Sequence, residues 1–108
     1  MDKVEFERRK VAALAAIRHA HGTEDGEDSI DLFVAHHLEE LPPDYWQAQL
    51  AKATPDPADV IGLLVCRSSW GEDDLEYFDF TLPGDVTDYV VSVHFDQTGA
   101  IDGVSMES

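Results

Sequence analysis

Cations are nearly missing from most of this chain. Of seven Lys and Arg residues, Lys3, Arg8, Arg9, Lys10 and Arg18 fall in the first 22 positions, so residues 23–108 set twenty carboxylates against Lys52 and Arg67 alone, a formal −18. A body of that sign repels phosphate backbones. Five cations spread around the remaining segment do not supply the clustered charge that counterion release requires, so no nucleic-acid partner is expected. Cysteine occurs once, as Cys66, which excludes an internal disulfide; within the run Val60-Ile61-Gly62-Leu63-Leu64-Val65-Cys66 it reads as a small buried hydrophobe. No apolar stretch approaches the ~18 residues of a membrane span, and Met1-Asp2-Lys3-Val4-Glu5 lacks the apolar region and small-residue cleavage site of a signal peptide. No membrane partner is expected, and the expected location is the cytoplasm.

Catalytic signatures are missing as well. Ser68 and Ser69 have no G-x-S-x-G around them, and no glycine-rich phosphate loop precedes a helix. His19 and His21 form an H-x-H and His36 and His37 are adjacent, but on a helix residues one or two apart diverge too far to share a metal ion. The acidic loop at 24–28 does not present alternating oxygen ligands before its glycine as a calcium loop does. With 23 carboxylates in 108 residues, doublets such as Glu39-Glu40 and Asp73-Asp74 arise by chance and nominate no acid–base pair. Neither a metal nor a cofactor is called for.

What is present is a globular composition, 44% hydrophobic and 28% charged, with ten Phe, Trp and Tyr residues in patterned segments. A chain of this size buries roughly 65% of its unfolded surface, enough for one domain spanning 1–108 without a staple. The self-repulsion of its carboxylates opposes folding, so added salt is expected to stabilise it.

The chain reads as helices first and strands second, an α+β order. Residues 2–21 are rich in Ala, Arg, Lys and Glu and stop at Gly22; Val4, Val11, Leu14 and Ile17, with Phe6 at the margin, form an imperfect stripe interrupted by Lys10 and Arg18. Asp28 or Ser29 suits the N-cap of a second helix, in which Ile30, Phe33, Val34, His37, Leu38 and Leu41 have the clearest helical period. A histidine on such a stripe is ordinarily satisfied by a backbone or carboxylate partner. Pro42 and Pro43 end that helix and start a short third one, with Trp46, Gln49, Leu50 and Ala53 on one face. Thr54-Pro55-Asp56-Pro57 marks a hinge between a helical half, 1–55, and a sheet half, 58–108.

Four strands are expected in the second half. Residues 60–67 suit an interior strand, and Gly71 to Asp74 turn into Leu75 to Leu82, where Phe78, Phe80 and Leu82 alternate with Tyr77, Asp79 and Thr81. In the third strand Tyr89, Val91, Val93 and Phe95 alternate with Asp88, Val90, Ser92 and His94, the pattern of a sheet covered on one face. Asp96 to Gly99 is a hairpin with Gly99 at positive φ, and Ile101 to Met106 return as the last strand. The expected architecture is about three N-terminal helices packed on one face of a four-stranded antiparallel meander. Its polar face then carries the candidate binding residues Trp70, Tyr77, Asp79, Ser92 and His94, with Cys66 on the same side. Arg67, one of two cations in the body, is expected to pair with neighbouring carboxylates.

The closing segment Val90-Val91-Ser92-Val93-His94-Phe95-Asp96-Gln97-Thr98-Gly99-Ala100-Ile101-Asp102-Gly103-Val104-Ser105-Met106-Glu107-Ser108 resembles the last hairpin of small acidic bacterial proteins classed as domains of unknown function, and His36 to Pro42 with Tyr45-Trp46 is similar to them too. In size and acidity the chain is also similar to immunity proteins, whose carboxylates take the place of nucleic-acid phosphates on nuclease toxins. Neither likeness carries catalytic residues across. The leading expectation is a non-enzymatic acidic binding protein, immunity- or antitoxin-like, that neutralises a basic protein partner. A structural or housekeeping protein whose acidity is a salt adaptation is the alternative, and a small enzyme built on His94 and Asp79 the third. A four-stranded meander also leaves edges through which a homodimer can form. Basic residues of the first helix, docked on the acidic body, are expected to lower its repulsion.

Overall fold

The computed structural model describes residues 3–108, and helices precede strands in it: α1 (Lys3–Ala20), α2 (Ile30–Glu40), α3 (Pro43–Leu50) and α4 (Pro57–Ile61), then β1 (Val65–Trp70), β2 (Tyr77–Thr81), β3 (Val90–Phe95) and β4 (Ile101–Glu107). Position 2 of the expected first helix lies outside the described residues. The strands form one sheet in the order β1-β2-β3-β4 with every neighbour antiparallel. This is the expected α+β meander, with one helix more than expected.

The second helix follows its sequence period. Ile30, Phe33, Val34 and His37 are buried, with Leu38 and Leu41 packed at the margin. Ser29 starts the helix through its carbonyl, which accepts from the Phe33 N–H, while its hydroxyl turns back to the Asp25 carbonyl instead of capping. In α3 the buried side is Trp46 with Tyr45 and Leu50 at its edge; Gln49 is exposed and Ala53 lies beyond the helix, which ends where Ala51 turns left-handed at φ 56°.

The first helix is rotated from its expected stripe. Val4 and Val11 are 80% and 64% exposed, and the inward face is Phe6, Ala13, Leu14, Ile17 and Ala20. Alanine at 13 and 20 lets the helix backbone approach its neighbours, so small side chains mark this interface and the larger valines do not. Gly26 takes part in the same closeness: a Cβ there would stand 2.1 Å from the Ala20 carbonyl oxygen, so only glycine fits against the end of α1.

The main correction concerns residues 57–64. The apolar run beginning at Val60 is not one strand. Asp56 caps α4 in a capping box with Asp59, Pro57 occupies its first turn, and Val60 and Ile61 are buried from a helix; the strand begins only at Val65. The capping signal Asp56-Pro57-x-Asp59 outweighs the β-branched character of Val60-Ile61, because a helix start satisfies backbone donors that an isolated apolar run does not. The helical portion therefore runs to Ile61 rather than to 55.

Register places the two faces of the sheet. Phe78 pairs with Val93 and Phe80 with Val91, and these residues, with Leu82 and Phe95, meet Ile17, Ile30 and Phe33 of the helices in one core. Tyr77 pairs with His94 and Asp79 with Ser92, which puts those four on the opposite face. The β3–β4 turn forms as expected, with Gly99 at φ 84° donating to the Asp96 carbonyl. The Asp96 carboxylate accepts from Thr98 N–H, Thr98 hydroxyl and Ala100 N–H, and these bonds hold it below the usual carboxylate range.

Candidate functional site

The outer face of the sheet carries a row of rings across three strands. Trp70 on β1 pairs with Tyr77 on β2, which pairs with His94 on β3. Trp70 and Tyr77 stack with centroids 4.0 Å apart and planes 10° from parallel, and Tyr77 meets His94 at 4.6 Å and 42°. On β4 the row ends at Gly103, which offers no side chain. Stacked rings in cross-strand register hold one another in fixed rotamers. Trp70 is thereby immobilised, yet 48% of its surface is exposed.

The next row is polar. The Trp70 indole N–H donates to Asp79 Oδ2 at 2.9 Å, crossing from one row to the other. Asp79 Oδ1 is buried and has no hydrogen-bond partner among the described residues. Ser92, opposite Asp79, is only 5% exposed, so it belongs to the support beneath the site and not to its surface. Cys66 does not join this face: its cross-strand partner is Phe80, it packs half-buried against the core, and burial pushes its thiol pKa up. The β1 bulge between Cys66 and Ser68 changes which face each residue takes, and spacing alone does not reveal a bulge. Arg67 sits in that bulge, exposed, and among the described residues it makes no ion pair, against expectation.

His94 is held at both ring nitrogens. Nδ1 donates to Asp102 Oδ1 and Nε2 to Glu76 Oε2, the latter at 2.9 Å. Asp102 sits in the irregularity of the β3–β4 ladder beside His94, where Phe95 pairs with Ile101, and Glu76 immediately precedes β2. Asp102 first and Glu76 second push the His94 pKa above its ordinary value, and Glu76 is lowered in turn by His94 and by the Glu72 N–H. An imidazolium donating to two carboxylates has no lone pair left for proton abstraction. Asp79 is not among the hydrogen-bond partners of His94; its Oδ2 accepts from the Trp70 indole. Sequence reasoning missed Glu76 and Asp102: among so many carboxylates nothing in spacing distinguishes them.

A polar recess of about 670 Å³ opens beside this clamp, lined by His94, Glu76, Glu72, Asp73, Asp96 and Arg9 among others. Arg9 reaches it from α1, donating to the Leu75 carbonyl at 2.7 Å with its guanidinium 5.3 Å from the centre of the Phe95 ring. Other α1 cations make contacts within their own helix. Arg8 and Arg9 pair with Glu5, holding its carboxyl at about 2, and Lys10 pairs with Glu7. Part of the basic charge is thus spent within the helix, while Arg9 also reaches the acidic recess of the body.

Among the described residues no helix is long and apolar enough to cross a membrane. Comparison with protein-family models, with curated proteins and with solved structures gives no match for this chain.

Proposed function

We propose that this protein is a non-enzymatic acidic binding protein that captures a basic protein partner on the outer face of its sheet, neutralising that partner in the manner of an immunity protein. The observation that carries this reading is Trp70: a large ring fixed by a stack and a hydrogen bond, half exposed on a face the helices leave open, with Asp79 beside it and Glu76 and Asp102 along the same row. Aromatic anchors among complementary charges are what binding hot spots require. His94, donating at both nitrogens, supports a binding face over a proton-transfer site. A net charge of −16 opposes association with a second copy and favours a cationic surface.

The test is a titration with a basic peptide of alternating Arg and Lys, followed through Trp70 emission. Binding is expected in dilute buffer and is expected to weaken steeply as salt approaches physiological strength, because the Debye length shrinks to about 8 Å. A Tyr77→Ala variant, which removes the ring that positions Trp70, is expected to bind more weakly. No binding in dilute buffer, or binding indifferent to both salt and Tyr77, rules the reading out.

A further inference from the structure

Resting on that binding role, we infer that the free face of the Trp70 indole is a docking position for an arginine side chain of the basic partner. Tyr77 covers one face of the indole. The other points away from β2, over the unpaired edge of the sheet, because β1 is an outermost strand. Among the described residues no ring or cation covers it. A planar guanidinium laid on that face extends the column Trp70–Tyr77–His94 by one more layer at the spacing the column already uses.

Three features select a cation for this position. The indole N–H donates to a carboxylate, which draws its positive edge toward Asp79 and leaves the ring face richer in electron density for a cation. Asp79 Oδ1, buried and without a donor, is a negative charge short of a partner, and a cation above the neighbouring ring stabilises it. The turn that follows Trp70 carries Glu72, Asp73 and Asp74, all exposed, so this end of β1 is acidic. Arginine fits better than lysine because a flat, weakly hydrated guanidinium stacks and still directs N–H groups sideways to carboxylates, whereas an ammonium must shed bound water to touch a ring.

The experiment compares two peptides of equal length and charge, one carrying only arginine and the other only lysine, binding to the full chain by calorimetry at about 20 mM and about 150 mM salt. The arginine peptide is expected to bind about two- to fivefold more tightly, the range of an exposed cation–π contact. Trp70→Ala is expected to abolish that preference while both peptides keep their salt-dependent binding, and Trp70→Phe to retain part of it; circular dichroism of each variant checks the fold. Equal affinity of the two peptides, or a preference that survives Trp70→Ala, overturns the arginine position but leaves the acidic binding role standing. Failure of both peptides to bind overturns the role itself. Sedimentation of the unliganded chain completes the test: a dimer that dissociates on Trp70→Ala assigns the ring to a second copy and overturns the proposal.

Discussion

His37 and His94 are both bound at both ring nitrogens, and the resemblance ends there. His37 is buried on α2; its Nδ1–H donates to the Phe33 carbonyl at 2.7 Å, and Nε2 accepts from the Thr87 hydroxyl at 2.8 Å. A carbonyl accepts only, so the Nδ1 proton is fixed, and a hydroxyl can supply the second bond. The ring is satisfied as a neutral imidazole, and burial pushes its pKa down. His94, on the outer face, meets two acceptors that are carboxylates, and its pKa goes up. Equal numbers of hydrogen bonds thus shift the two rings in opposite directions, and the difference lies in the charge of the partners and the water left around them. One histidine holds the loop before β3 onto the helices; the other joins the start of β2 to β3 and β4.

Substitutions measure that contrast directly. His37→Ala is expected to cost about 2–4 kcal/mol, since it leaves a cavity beneath Phe33 and Tyr89 and strips the Thr87 hydroxyl of its partner. Urea unfolding monitored by circular dichroism reads it, and a loss no greater than that of His94→Ala would erase the contrast. Arg9→Met is the intermediate case, a partly buried cation bound both to the Leu75 carbonyl and to Glu5, and is expected to cost about 1–2 kcal/mol by the same measurement. His94→Gln loses charge pairs at the surface and is expected to cost under about 1 kcal/mol near neutral pH.

pH separates the two rings by sign. His94 is raised when folded, so its stabilisation is complete below the ordinary value of 6.5 and fades as pH climbs through the raised folded pKa. His37 is lowered when folded, so its contribution is present above 6.5 and is lost as pH falls through the depressed value. Urea midpoints measured from acid to mild alkali should therefore fall on both sides, with His94→Gln flattening the alkaline limb and leaving the acid limb unchanged above about 4.5. A variant that flattened the acid limb instead would reverse the assignment. Glu76, lowered by His94, adds a further loss only below about 4.5. The smallest effect expected is that of salt: melting temperature should rise with added KCl, because the formal −18 of residues 23–108 is offset only in part by the cations of the first 22 positions. A falling melting temperature would show that ion pairs such as Lys52–Asp59 outweigh that repulsion.

Much of this architecture was legible because periodicity survives in the chain. Ile30, Phe33, Val34 and His37 repeat as a helix and are buried as one, and Phe78, Phe80, Val91 and Val93 alternate as strands and fill the core. Even the outward group Trp70, Tyr77, Asp79 and His94 follows from alternation. The errors share a cause. Val4 and Val11 are hydrophobic but outward, and Val60-Ile61 is β-branched but helical, because composition ranks residues by type whereas alanine contacts at 13 and 20 and the Asp56–Asp59 capping box act through geometry. Cys66 was placed on the wrong face by a single bulge.

By itself the sequence determined the class of fold, the polarity of each sheet face and the sign of the molecule's field, since these depend on local pattern and on summed charge. Only the tertiary structure decided which carboxylates matter. Asp102 lies eight residues from His94 and Glu76 eighteen, and they meet it because antiparallel register and a ladder irregularity bring three strands to one ring. Asp79, expected on the same face as that histidine, is the acceptor for Trp70 for the same reason. Charge is a property each residue carries into the fold, but pairing depends on distance, and distance between residues far apart in the chain exists only once the sheet has formed.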